Sequence, residues 1–288
     1  ITLPASVSAC PHGLPSLAIC NPLARARVYL QGAHVAEWRP VGADEALWMS
    51  VRSAFEPGKP IRGGVPICFP WFGPHATRPD LPAHGFARTS EWTLLAATER
   101  SDGATTIAFG LEASEATRAI WPHEFALTYT ITVGTALELA LAVNNRGTAP
   151  FRFEEALHTY LGVGGVRRAR VLGLEGADYV DKVDGGARKV QAPEPITFAG
   201  ETDRLYVGTE ATCLVDDASV GRRLRIAKGG SRSTVVWNPW IEKSKTLSDL
   251  PDEDYRKFLC VETANAWQDV VTIPSGGEHV LATRVRVE

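Results

Sequence analysis

Six side chains in this 288-residue sequence are of types that move protons or hold anions, and each sits in a run that limits what it can do. His158 lies in FEEALHTYL (153–161), an apolar context with two acids just upstream. Histidine is the side chain whose ordinary pKa suits proton exchange near neutrality. The alternative is a half-buried strand histidine that only makes a hydrogen bond. Glu262 ends the apolar run Phe258-Leu259-Cys260-Val261. A carboxylate in that position is expected to be partly buried, and burial raises its pKa and makes it a better base. Its alternative is a strand-end carboxylate paired with an arginine. His84 and Arg88 share AHGFAR (83–88), and Arg62 precedes Gly63 and Gly64 in PIRGGVP (60–66). Guanidinium forks suit carboxylate or phosphate, and glycines let a backbone approach a ligand closely. Structural duties compete: Arg62 on loop carbonyls, Arg88 on Glu91. Asp203 in ETDRLY (201–206) offers two acceptor oxygens for sugar hydroxyls, or closes an Asx turn.

Other chemistries lack their signatures. There is no HxH or HExxH among seven histidines, no GxSxG, no Walker Gly-Lys-Ser/Thr and no CxxC among five cysteines. The expectation from these absences is therefore no metal site. Reduced thiols in a cytoplasmic protein are the default, with a Cys10–Cys20 bridge as the minority alternative. The formal charge of −3 argues against a general polyanion or nucleic-acid binder. No stretch approaches the ~20 apolar residues of a spanning helix. Ile1–Asn21 has no basic segment leading into an apolar run, so it does not read as a signal peptide. What remains is acid–base chemistry from histidine and carboxylate, in an aromatic pocket with arginine. That fits a sugar, whether neutral or anionic.

The elements that position these residues are strands. From Phe125 to Val133 every odd position is apolar, and Leu137, Leu139, Leu141 and Val143 repeat the pattern after a turn at Gly134. Two such runs predict an antiparallel hairpin. Leu281, Thr283, Val285 and Val287 alternate likewise at the C-terminal end. Further strand-like runs are Ala26–Leu30, Glu91–Thr98, Thr105–Leu111, Arg168–Leu174, Ala211–Val215, Arg222–Ala227 and Thr234–Trp237. The clearest helical signal is Pro251–Phe258, with Asp249 or Asp252 as its cap. With strands throughout and no linker or internal repeat, the expectation is one large all-β sandwich spanning 1–288. Three loop-like segments, Phe55–His75, Thr77–Arg88 and Val236–Leu250, together carry Trp71, Phe72, Trp237 and Trp240 and read as pocket walls.

Six motifs taken together resemble a known family. They are FEPGKPIRGGVPICFPWFG (55–73), AHGFAR, FEEALHTYLGV (153–163), ETDRLY, VVWNPWIEKS (235–244) and FLCVETANA (258–266). In order and spacing they are similar to the hexose-6-phosphate 1-epimerase branch of the aldose 1-epimerase (galactose mutarotase-like) superfamily, over roughly residues 20–285. Ile1–Pro22 is not matched. The resemblance implies a large antiparallel β-supersandwich with very few short helices, no cofactor, and a small-molecule hexose 6-phosphate as the partner of a monomer. It implies interconversion of α and β anomers, with His158 as general acid and Glu262 as base on opposite sides of the anomeric centre. It places substrate binding on His84 and Asp203, phosphate on Arg62 and Arg88 with Lys59 nearby, and an aromatic floor on Trp71 and Trp237. An epimerase of unphosphorylated aldoses and a non-catalytic carbohydrate-binding domain are the competing readings. A glycoside hydrolase would need two catalytic carboxylates.

Overall fold

In the computed structural model, which describes residues 1–288, period-two patterning becomes antiparallel sheet. Phe125–Val133 and Ala136–Asn145 form the predicted hairpin, in register from Phe125↔Asn145 to Val133↔Leu137. The odd-numbered apolar residues of both strands are buried throughout. This hairpin sits inside a nine-stranded sheet with Glu278–Val287 on one side and Thr105–Glu112 on the other. An eight-stranded sheet carries Ala187–Val190, Asp178–Asp181, Thr202–Val207, Ser233–Asn238, Phe258–Asn265, Glu155–Leu157 and Ile67–Cys68 in that order. Tyr160–Gly162 also pairs with Phe258–Asn265. The two helices, Glu115–Ile120 and Trp240–Lys245, have six residues each. A core of 54 buried residues draws on both large sheets.

The eight-stranded sheet is covered on both faces along its Phe258–Asn265 strand. All eight residues of Phe258–Asn265 are buried. Leu259 and Val261 join the main core, whereas Cys260 and Ala264 join smaller clusters on the opposite face. The same parity holds next door: Tyr206 and Val236 go to the main core, Leu205 and Val235 away from it. Glu262 has the parity of Cys260 and Ala264, so strand alternation alone turns its carboxyl away from the main core. On the core side, the wholly buried Glu155 lies 3.2 Å from His279 of the nine-stranded sheet.

Several expectations shift. Ile1–Pro22, which the motifs leave unmatched, contributes two strands to the fold. Val7–Cys10 and Ser16–Cys20 extend Ala24–Tyr29 and His34–Pro40 into a four-stranded sheet. Cys10 pairs with Ser16 at one end of that ladder, and Cys20 lies beyond the other end, where Val7 faces Ile19. Both thiols are free. The helix expected at Pro251–Phe258 shrinks to one 3₁₀ turn, Asp254–Lys257. The Asn238 amide donates to the carbonyls of both Tyr255 and Phe258, and Phe258 is already paired with Gly162 as strand. Val236–Leu250 is not wholly irregular, since it holds the Trp240–Lys245 helix.

Gly63 and Gly64 approach the chain's own backbone rather than a ligand. Any Cβ there would overlap the carbonyl oxygens of Trp48 and Val35 respectively. Gly85 does the same beside His84: its φ is +73° and a Cβ would run into the Phe69 carbonyl. Gly85→Ala is therefore expected to cost at least ~2 kcal/mol through left-handed strain and backbone overlap. Chemical denaturation of the two proteins measures this. An unchanged midpoint would show that the 69–85 contact yields easily.

Candidate active site

Strand parity gathers the site. Asp203, Leu205, Val235, Trp237 and Glu262 all project to the face away from the main core, and all line one cavity of about 620 Å³. This is the size of a small-molecule site. Register brings them level, with Asp203 opposite Trp237 and Val235 opposite Glu262. The cavity also takes in Arg62, His84, Arg88 and His158. Seven of the eight expected site residues thus meet at one place.

His158 falls in the break between Glu155–Leu157 and Tyr160–Gly162, its backbone N–H donating to Pro66. The ring stacks on Tyr160, with centroids 4.7 Å apart and planes 9° from parallel, and meets the edge of Trp237. Its Nδ1 is 3.4 Å from Glu262 Oε1. Relative exposure is 7% for His158 and 1% for Glu262. His158 Nδ1 and Glu262 Oε2 have no hydrogen-bond partner. The two groups therefore lie side by side, not across an open centre as expected. Burial, reinforced by His84, Arg62 and Arg88, holds the imidazole well below its usual pKa. Burial likewise lifts the Glu262 carboxyl well above the carboxylate range, with Lys182 opposing. Each group is driven toward its neutral form.

His84 has φ +66° and is fixed by its neighbours. Its N–H donates to Gly73 at 2.7 Å and its Nδ1 accepts from the Gly73 N–H at 3.2 Å. That leaves the proton of a neutral ring on Nε2, as a donor. Burial, together with Arg88, Lys182 and Arg62, pushes its pKa down to about 3.

Four cations line the cavity: Arg62, Arg88, Lys182 and Lys243. Arg62 is engaged, with Nη2 3.0 Å from Asp249 and Nη1 donating to the Tyr160 hydroxyl at 2.9 Å. Lys182 stands 3.6 Å from Asp203 and over the Phe72 ring. Arg88 donates to the Ala83 carbonyl, not to Glu91, and its buried Nε has no partner. No local sequence pattern marks Lys182 or Lys243. They stand in polar turn and helix segments with no apolar frame to orient them. Lys59 instead pairs with Glu56 in an exposed turn. Trp71 also departs from expectation: it packs into the main core with its indole N–H on Pro82, and Phe72 faces the cavity in its stead.

The aldose 1-epimerase family pattern matches residues 15–286. The chain belongs to the aldose 1-epimerase family. It is 40% identical over 253 residues to a Salmonella typhimurium protein provisionally named glucose-6-phosphate 1-epimerase, covering 88% of this chain and 84% of that one. An Escherichia coli protein of the same provisional name is 38% identical, over 95% of this chain and 90% of its own. The crystal structure of a provisionally named mutarotase from Salmonella typhimurium superposes with a TM-score of 0.92 at 36% identity, covering 99% of this chain and 95% of that one. A galactose mutarotase related enzyme from Lactobacillus acidophilus, 13% identical over 95% of this chain and 97% of its own, shares the fold with a TM-score of 0.76. The epimerase is thus an isomerase, built on the mutarotase-like β-sandwich expected of the motifs.

The depressed His84 pKa fixes the sign of a pH effect. Below about pH 6.5 the unfolded chain binds a proton at this histidine that the folded protein refuses until about 3. The stability tied to the neutral ring is complete above 6.5 and is lost as pH falls. His84→Asn keeps an acceptor facing Gly73 and cannot be protonated. Its unfolding free energy should fall with acidification by up to ~1.4 kcal/mol per pH unit less than the native protein's between pH 6 and 4. Parallel slopes in denaturant titrations would mean that His84 is not held neutral.

Proposed function

We propose that this epimerase interconverts the α and β anomers of a hexose 6-phosphate, with His158 and Glu262 carrying the protons. The observation that supports it most is a buried imidazole–carboxyl pair opening on a cavity where Arg88 and Lys243 stand without carboxylate partners. The provisional names of the Salmonella and Escherichia coli relatives point the same way.

In the reaction, the Glu262 carboxylate takes the proton of the anomeric hydroxyl while protonated His158 gives one to the ring oxygen. The C1–O5 bond breaks, leaving an aldehyde. Rotation about C1–C2 presents the other carbonyl face, and closure reverses both proton transfers. O1 and O5 share one carbon, so two proton carriers lying side by side can serve both. Burial favours neutral imidazole and neutral carboxyl, which together contain the same protons as imidazolium and carboxylate. One transfer across the 3.4 Å contact converts one arrangement to the other. His84 Nε2–H and the Asp203 carboxylate would orient ring hydroxyls. Arg88, with Arg62 and Lys243, would hold the phosphate through charge-assisted hydrogen bonds. A pure sugar-binding domain has no need of the acid–base pair, and a neutral hexose leaves Arg88 without an anion.

His158→Asn and Glu262→Gln should each slow anomer exchange of glucose 6-phosphate about 10²–10⁴-fold with the fold retained. NMR exchange spectroscopy with circular dichroism measures both, and full activity in either variant would overturn the assignment. Arg88→Ala should raise KM for glucose 6-phosphate about 10–100-fold, the loss of charged hydrogen bonds worth ~1.5–3 kcal/mol. Glucose should change by less than about twofold. Equal losses for the two sugars would remove the phosphate from the proposal.

A further inference from the structure

One aromatic residue at the cavity is neither buried nor relaxed. Trp267 is 45% exposed, the highest of the large aromatic side chains, and it lines the cavity. Its φ is +58°, a conformation that bulky L-residues rarely adopt and that costs about 1–3 kcal/mol. It follows the Phe258–Asn265 strand by two residues, so it is tethered to the same element as Glu262. Its backbone N–H donates to Glu154 Oε1 at 2.7 Å. The other oxygen of that carboxylate, Oε2, accepts the N–H of Phe72 at 3.0 Å. Phe72 and Glu154 line the cavity as well. One carboxylate thus fixes two aromatic residues of the rim. Nearly half of this indole is thus left to solvent on a strained backbone.

We propose that Trp267 is the platform on which the pyranose ring of the substrate stacks, and that Glu154 is the residue that positions it. This rests on the sugar-epimerase reading and names how the ring is recognised. A pyranose presents one face of C–H groups, and an aromatic ring covers such a face while leaving the hydroxyls to polar partners. The C–H groups at C3 and C5 are the same in both anomers. The platform therefore binds substrate and product alike, and its contribution is to KM rather than kcat.

Trp267→Ala is expected to raise KM for glucose 6-phosphate at least about tenfold with kcat within about twofold, and Trp267→Phe to recover most of the loss. Calorimetry supplies a readout without turnover. Glucose 6-phosphate binding should weaken in Trp267→Ala, whereas glucitol 6-phosphate, acyclic with the same phosphate, should bind as in the native protein. Glu154→Ala should raise KM in the same way, and the double variant Glu154→Ala/Trp267→Ala should be no worse than Trp267→Ala alone. An unchanged KM, a fall in kcat alone, or equal weakening of cyclic and acyclic ligands overturns the platform. Additive losses overturn the positioning by Glu154. A native protein that binds glucose 6-phosphate without exchanging its anomers refutes the epimerase reading and leaves the platform to stand or fall on calorimetry. One that binds neither ligand refutes both.

Discussion

A carboxyl and an imidazole buried together, 3.4 Å apart and almost out of reach of water, constrain everything around them. Burying an isolated charge costs several kcal/mol even after relaxation. The pair avoids that cost by burying neutral forms, which leaves Nδ1 of His158 and Oε2 of Glu262 unpaired. Two groups without partners must be held by something other than their own bonds. Glu262 is held by a strand buried along its whole length and paired on both sides. His158 is held by stacking on Tyr160 and by the Trp237 edge. The geometry of the pair thus depends on sheet pairing and aromatic packing more than on hydrogen bonds at the groups themselves.

The same dependence explains the second duty of Arg62. It ties Asp249 in the 246–250 segment to the hydroxyl of Tyr160, the ring on which His158 rests. A guanidinium with two protein partners is less free to clasp a ligand than Arg88, which spends one nitrogen on a carbonyl and leaves Nε without a partner. The two arginines read from sequence as equivalent forks are therefore unequal. One supports the wall, and the other is the group with unused capacity.

How much of this the sequence discloses follows from periodicity. Where an alternating run crosses the core, as in Phe125–Val133 and Ala136–Asn145, residue type reveals which side faces in. Glu262 is legible for the same reason, because it interrupts an apolar run at a definite parity. Loops have no period. Trp71 and Phe72 are adjacent aromatics in one Gly/Pro-rich segment, and nothing in their order says that the indole goes to the core and the phenyl to the cavity. Lys182 and Lys243 are illegible in the same way: each reaches the cavity from a turn or a short helix, and lysines in such places are ordinarily solvent-facing. Glu154 shows a further limit. Its role is to hold two backbone N–H groups, those of Phe72 and Trp267, the second 113 residues away. No local spacing records that contact.

The unequal arginines bear on the neutral overall charge. A chain with a formal charge of −3 holds four cations around one cavity, against Glu154, Asp203 and a carboxyl at 262 that burial drives toward its neutral form. Local positive charge of that kind strains the imidazole, and Arg62 and Arg88 are among the groups that hold the His158 pKa down. An anion seated on Arg88 would relieve that repulsion. It would make the imidazolium easier to form while the substrate is bound. Phosphate binding and proton transfer would then be coupled through the field of the same guanidinium, and a phosphorylated sugar would gain in kcat as well as in KM over its neutral counterpart.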